Sequence, residues 1–372
     1  MNLAAALTAQ RIRGGLERPQ VHLDEAAARR ALLRWFRRHA RPLPWRKSRS
    51  PYAVWVSEVM LQQTQVATVI PYFRRFVRAF PTVTSLAQAP LERVLELWSG
   101  LGYYRRARHL HRAARILVRD FKGVFPREFR QARSLPGIGD YTARAVLSIA
   151  YHLPYTVLDG NVARVVARLC AIRGSLHEAR FSRRVERELE GLLSRRQPGN
   201  FNQALMELGQ TVCLPRAPRC PVCPLRAWCE AFHRGRPQSY PASRPRRATE
   251  LHYLATAVIR RGEQVAMVRG LDEGLLGDLW NFPSAFGPTR AAALTRLQEK
   301  LATVVPGAAH IGVRLGGIRH RITHRAIRVD LYPVEIGTGA GANGFRWLAL
   351  SRLPHAAISQ LSRKIATQIR GD

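Results

Sequence analysis

Between Asp24 and Phe232 apolar side chains recur at a spacing near 3.6, broken by Pro and Gly, and then that pattern stops. The next stretch, "HRGRPQSYPASRPRRATE" (His233–Glu250), is rich in Pro, Arg and Ser and nearly free of apolar residues, the composition of a linker. Beyond it the period falls toward two. "LHYLATAVIRRGEQVAMVRG" reads as two strands around a turn at Arg261–Gly262–Glu263, and "RITHRAIRVDLYPVEI" alternates as a strand. "TRAAALTRLQEKLATVV" reads as a helix. A segment with one period cannot bury its apolar face in the other geometry. The chain is therefore expected to fold as a mainly α N-terminal domain over 24–232, a linker over 233–250, and a smaller α/β domain over 251–370. Residues before Asp24 read as a loose extension.

The 372 residues are 46% hydrophobic, enough to bury real cores. Lys and Arg number 60 against 25 Asp and Glu, a net charge of +35 that points to a polyanionic partner. The arginines are spread along the whole chain, so the charge permits nucleic-acid binding without mapping it. No uninterrupted apolar run reaches the roughly 18 residues of a membrane span, so no membrane partner is expected. "MNLAAALTAQRIRGG" lacks the basic start and long apolar run of a signal peptide. A cytoplasmic monomer is expected, and that compartment disfavours disulfides.

Four of the five cysteines fall in one loop, Cys213, Cys220, Cys223 and Cys229, with the spacing C-x6-C-x2-C-x5-C. Four thiolates can hold a tetrahedral zinc or a [4Fe-4S] cluster. Structural zinc usually takes two CxxC pairs set well apart in sequence, so a single pair inside one compact loop favours the cluster. A small acidic electron carrier fits neither the length nor the charge. Arg216, Arg219 and Arg226 lie among the thiols, where they suit phosphate contact or an ordinary solvated surface. Cys170 sits in an apolar helical pattern and reads as a packed core thiol.

"LPGIGDYTARAVLSIAY" sets Gly137 and Gly139 before a helix beginning near Tyr141. Such a turn can take positive φ and aim backbone N–H groups at a phosphate; alone, it is also a tight helix connection. In "LDGNVARVVARL", Asp159 precedes a helix and is expected to cap it. A carboxylate fixed at a helix start is also suited to stabilising a cationic transition state. "PYAVWVSEVMLQQTQVATVIPYF" reads as a helix with an apolar stripe at Val56, Val59, Met60, Val66, Ala67 and Ile70. Glu58, Gln62 and Gln65 lie off that stripe. Amides can bond base edges, and a lone Glu among them is a candidate general acid.

"LPWR" (Leu43–Arg46), "SEVMLQQTQV", "LWSGLGYYRRARHLHRAA", "LPGIGDYTA", "LDGNV" and the four-cysteine loop stand in one order. That order resembles the adenine DNA glycosylases of the MutY family, within the helix-hairpin-helix glycosylases. The resemblance implies two helical lobes with a [4Fe-4S] loop at 213–229, held by Cys213, Cys220, Cys223 and Cys229, and a Nudix-like domain that senses 8-oxoguanine. The implied substrate is double-stranded DNA with 8-oxoguanine:A or G:A mispairs, from which adenine is flipped out and excised. It makes Glu58 the acid that protonates adenine N7 and Asp159 the carboxylate that stabilises the sugar cation. Tyr141 and Asn161 match positions near this pair, and Gln203 and Arg46 match the base pocket. Gln62 or Gln63, with Tyr103, match the wedge that fills the vacated stack, and Gly137 and Gly139 the hairpin on the DNA backbone.

Tyr141 stands where the related endonuclease III branch carries a lysine for strand cleavage. A bifunctional pyrimidine glycosylase/lyase is thus disfavoured, and intact Glu58 and Asp159 disfavour a non-catalytic DNA-binding scaffold. "LWNFPS" (Leu279–Ser284) matches the Nudix-like module, whose metal-binding helix here offers only Glu299. Pyrophosphate hydrolysis is therefore not expected. In "RITHRAI", Thr323 and His324 match two residues of the family's Phe-Ser-His turn, and Ile322 replaces its aromatic.

Overall fold

The structure, a computed structural model, describes residues 23–48, 50–242, 248–270, 279–305, 309–322, 324–337 and 345–370. The expected N-terminal extension and Thr323 lie outside the described residues.

Among these residues the helices are α1 (Glu25–His39), α2 (Pro51–Leu61), α3 (Val66–Ala79), α4 (Val83–Gln88), α5 (Leu91–Trp98), α6 (Arg105–Phe121), α7 (Phe129–Ser134), α8 (Asp140–Tyr151), α9 (Gly160–Leu169), α10 (Ala179–Leu192), α11 (Pro198–Thr211), α12 (Glu230–His233), α13 (Arg290–Val304) and α14 (Gln360–Gln368). The strands are β1 (Glu250–Val258), β2 (Arg260–Arg261), β3 (Gln264–Arg269), β4 (Trp280–Asn281), β5 (Ser284–Gly287), β6 (Ala309–Ile311), β7 (Gly316–Ile322), β8 (Arg325–Ile336) and β9 (Arg346–Ala349). The chain therefore has the mainly α region followed by the α/β region that the change of period implies.

The chain folds into two compact units that do not follow linear order. Of the described residues, one takes 23–42 and 139–242; the other takes those of 43–138 and those from 248 on. The first unit is helical. Asp24 caps α1 by accepting from the Ala27 N–H at 2.9 Å, which satisfies one of the orphan donors of a helix start. Leu32 and Phe36 of α1, Val162 and Val166 of α9, Val185 and Leu189 of α10, and Leu205 and Leu208 of α11 meet in one core. Each such side chain contributes about 1.5–3 kcal/mol by leaving water.

In the second unit α2 is central, with Tyr52 to Met60 all buried. Its C-terminal part is a sheet ordered β5-β1-β8-β6, with β7 also on β8. β1 and β8 run parallel, in register from Glu250↔Arg325 to Val258↔Pro333. Period two sorts β8 between two layers. Ile327, Val329 and Leu331 pack with Leu361 and Ile365 of α14, while Tyr332 and Val334 pack with Leu297 and Leu301 of α13. β3 gathers β2, β4 and β9 into a smaller sheet. This domain docks on the end of α5: Ser99 Oγ donates to the Ile358 carbonyl at 3.0 Å, and Arg363 Nη2 donates to Ser99 Oγ at 2.6 Å.

Three local expectations are corrected. The single helix through "SEVMLQQTQVATV" is two helices, because Gln62 leaves helical geometry (φ −55°, ψ 114°) and Gln63 takes φ +56°; Ala67 of the expected apolar stripe is exposed. "RITHRAIRVDLYPVEI" is a hairpin, β7 turning into β8, with Ile322 opposite Arg325. The first part of the linker stretch is packed: Tyr240 is buried, and its carbonyl accepts from Arg168 Nε at 2.9 Å.

Candidate active site and nucleic-acid interface

In the second unit Glu58 lies near the end of α2 and is only 5% exposed, held away from bulk water by the buried helix around it. Two segments beyond it turn outward. Gln62 and Gln63 follow the end of α2, and Tyr103, 46% exposed with φ +50°, follows the Gly100–Gly102 turn. Left-handed backbone at a non-glycine residue costs on the order of 1–2 kcal/mol, and Gln63 and Tyr103 both adopt it at the rim of one cavity.

That cavity measures about 760 Å3. Gln62, Gln63 and Tyr103 line it from the helical side; His320, Arg321 and Ile322 line it from β7. Gly137 borders it with φ +76°, where a Cβ would fall 2.6 Å from His109 Cβ, so glycine is required. Gly139 does not share this geometry: its backbone is extended (φ −91°, ψ −179°), and the space around it is open. Only the first glycine of the pair takes positive φ. Arg46 is half-buried in a 3-10 turn (Pro44–Arg46) fixed by Trp45, whose ring stands edge-on to Phe73 at 5.4 Å.

His324 is not among the residues lining the cavity. Its Nε2 lies 3.4 Å from Glu250 Oε1. His320 takes that side of the cavity, and the sequence reading passed over it. Its Nδ1 is buried without a hydrogen-bond partner, and burial, aided by Lys364, holds its pKa down to about 4. The available signal was periodicity, since His320 lies two residues before Ile322 on the same strand face.

In the first unit Asp159 caps α9. Its Oδ1 accepts from the Val162 N–H at 2.7 Å and its Oδ2 accepts from Asn161 Nδ2 at 2.9 Å. Arg164 Nη2 donates in turn to Asn161 Oδ1 at 2.9 Å and to the Gly209 carbonyl at 2.8 Å, while its Nε donates to the Cys213 carbonyl at 2.8 Å. The aspartate is thus oriented by a chain of bonds running to the cysteine loop. Buried Asn202 of α11 fixes the segment before it, taking the Val157 N–H at 3.3 Å and donating to the Tyr155 carbonyl at 2.8 Å. Tyr141 donates its hydroxyl to Met206 Sδ at 3.5 Å, and Gln203 Nε2 bonds the Gly199 carbonyl of its own helix at 3.2 Å.

Cys213, Cys220, Cys223 and Cys229 line one small cavity with Arg168. Among the described residues no three His, Cys, Asp or Glu side chains are grouped to hold a single metal ion. The thiols surround a shared space. Burial, reinforced by neighbouring thiols, pushes Cys223 up to about 12 and Cys229 to about 11. Arg168, itself buried, donates to Cys213 Sγ at 3.3 Å and to the Leu214 and Pro215 carbonyls at 2.7 and 2.8 Å. Cys170 is the packed thiol expected of it, pushed up to about 12 by burial.

Residues 56–194 match the HhH-GPD superfamily of base excision DNA repair proteins, and residues 255–368 match the NUDIX domain. The chain is 35% identical to the adenine DNA glycosylase of Mus musculus, across 92% of this chain and 78% of that protein. It is 35% identical to the Homo sapiens protein of the same name, across 94% and 75%. It is 34% identical to that of Buchnera aphidicola subsp. Acyrthosiphon pisum, across 72% and 77%. A thermostable thymine-DNA glycosylase shares the helical fold, with a TM-score of 0.50 and 24% identity over 56% of this chain and 97% of its own. No described helix is long and apolar enough to cross a membrane. The chain belongs to the adenine DNA glycosylase family, base excision repair enzymes that hydrolyse the N-glycosyl bond of adenine in DNA.

Proposed function

We propose that this glycosylase, acting as a monomer, removes adenine opposite 8-oxoguanine or guanine in double-stranded DNA and releases it without cutting the strand. Extruding the base costs a few kcal/mol; Gln62 or Gln63, with Tyr103, fills the space it leaves. Glu58 donates a proton to adenine N7. The C1′–N9 bond then breaks with its electron pair passing to the base, and the sugar becomes an oxocarbenium ion. Asp159, held in place by the Val162 N–H and the Asn161 amide, stabilises that cation until water adds at C1′ and passes its proton back to the Glu58 carboxylate. Tyr141, Gln203 and Arg46 are assigned to contact with the adenine, and Gly137 and Gly139 to contact with the DNA backbone. Tyr141 offers no amine for a Schiff base, so an abasic site is the product.

Cys213, Cys220, Cys223 and Cys229 are the ligands we assign to a [4Fe-4S] cluster. Their shared cavity and the Arg168 N–H aimed at Cys213 Sγ support this reading. When bound, the cluster cross-links the loop. The C-terminal domain reads the partner base through Ile322, Thr323 and His324 and the strand β7. Its helix α13 offers only an exposed Glu299 where a Nudix hydrolase needs several carboxylates.

The reading of the partner base rests chiefly on the cavity where Gln62, Gln63 and Tyr103 face His320, Arg321 and Ile322. Single-turnover excision should be followed on 8-oxoguanine:A and G:A duplexes, with alkaline cleavage and borohydride trapping of the product. The expected result is strand breaks only after alkali, no trapped adduct, and loss of the 8-oxoguanine preference in Thr323→Ala/His324→Ala. Equal loss on both duplexes would remove the sensor role, and a trapped adduct would remove the monofunctional one.

A further inference from the structure

Arg106, near the start of α6, makes an unusual set of contacts. Its Nη1 donates to three carbonyls at the end of α2, those of Val59 and Met60 at 2.8 Å and Gln62 at 2.6 Å. Its Nη2 donates to Thr64 Oγ1 at 3.1 Å and to the Gly102 carbonyl at 3.2 Å. The guanidinium lies 5.5 Å from the Trp98 ring and 5.4 Å from the Tyr103 ring. Its Nε is buried without a partner, and no carboxylate pairs with it among the described residues. A half-buried cation satisfied by carbonyls and ring faces is costly to place. These contacts fall on two outward segments, 62–64 and 100–103, and each carries a left-handed non-glycine residue, Gln63 and Tyr103.

We propose that Arg106 is the positioning residue of the wedge: one planar guanidinium ties the end of the Glu58 helix, the Gln62–Thr64 turn and the Gly100–Tyr103 turn into a rigid piece preset for insertion into duplex DNA. This rests on the wedge reading of Gln62, Gln63 and Tyr103 given above. The chemistry requires arginine. A lysine ammonium has donors enough for one of the two segments but no planar fork to bridge both, and it stacks less well on the rings. Without the bridge both turns relax from their strained backbone, and the cost of holding an extruded base rises.

The test is single-turnover excision by full-length Arg106→Lys, Arg106→Gln and Tyr103→Ala. Each acts on an 8-oxoguanine:A duplex and on a duplex whose adenine faces an abasic analogue, where no base pair has to be broken. Because a misplaced catalytic piece costs about a hundredfold, Arg106→Gln should lose about that much relative to wild type on the paired duplex. It should lose only a few-fold on the unpaired one, with Arg106→Lys between. Equal loss on both duplexes, or none, overturns the proposal; so does a Lys variant with wild-type rates on both, which also answers for a Gln variant that fails to fold. Tyr103→Ala separates the two readings. Selective loss there with none in the Arg106 variants keeps the wedge and removes Arg106 from it; no selective loss there removes the wedge itself.

Discussion

His320 carries a ring nitrogen that is buried and unbonded, on a strand face that borders the cavity. Its pKa falls from the ordinary 6.5 to about 4, through burial first and Lys364 second. The unfolded chain takes up a proton near pH 6.5 and the folded one only near pH 4, so over that window the unfolded state binds more protons. Stability then rises with pH and is lost as the solution is acidified. Thermal melting from pH 7.5 to 4.5 should show a steeper acid loss for the native chain than for His320→Phe, and parallel curves would contradict the assignment. Strand periodicity places this residue on the Ile322 face, but its burial was not legible in the sequence, because that depends on α14. Asp159 was legible as a cap, since capping is settled within the next three residues. The bonds that brace its surroundings are not local: Asn202, which holds Tyr155, and the Cys213 carbonyl, which holds Arg164, come from α11 and the loop beyond it.

Among the elements, the gap between α2 and α3 is where local pattern failed. Apolar spacing continues across it, and no Gly or Pro marks the break. What stabilises the stop is the Arg106 guanidinium on the last carbonyls of α2, a contact across sequence that periodicity cannot report. Strand alternation likewise ran through the join of β7 and β8, which lacks the Asn-Gly or Gly-rich signature of a tight hairpin; only the resemblance to the family's Phe-Ser-His turn marked it. The cysteine loop was legible from spacing, but its anchor was not. Arg168, in α9, is 2% exposed and donates to carbonyls of Leu214, Pro215 and Tyr240 as well as to Cys213 Sγ. Arg168→Lys leaves several of these acceptors unsatisfied and should cost about 2–4 kcal/mol. It should also speed proteolysis between Cys213 and Tyr240. An unchanged melting midpoint together with an unchanged cleavage rate would show that the loop is held by other contacts.

At the scale of the molecule, the change of period at residues 233–250 located the passage from helices to sheet, but the compact units follow another division. The described residues of 43–138 fold with the C-terminal domain, and 23–42 fold with 139–242. Such interleaving arises from contacts such as Ser99 with Ile358, whose partners no local pattern links. The chemistry proposed for the whole enzyme divides between a buried carboxyl on α2 and a capped carboxylate at the start of α9. The most direct test is single-turnover excision from an 8-oxoguanine:A duplex by Glu58→Gln and by Asp159→Asn, each with its melting midpoint. Asn is nearly as good a helix cap as Asp, so Asp159→Asn should keep the fold while losing at least about 10^2–10^3 in rate, the loss typical of removing one preorganised electrostatic group. Glu58→Gln should bind the duplex and excise almost nothing. Excision by either variant at the wild-type rate would contradict the two-carboxyl mechanism.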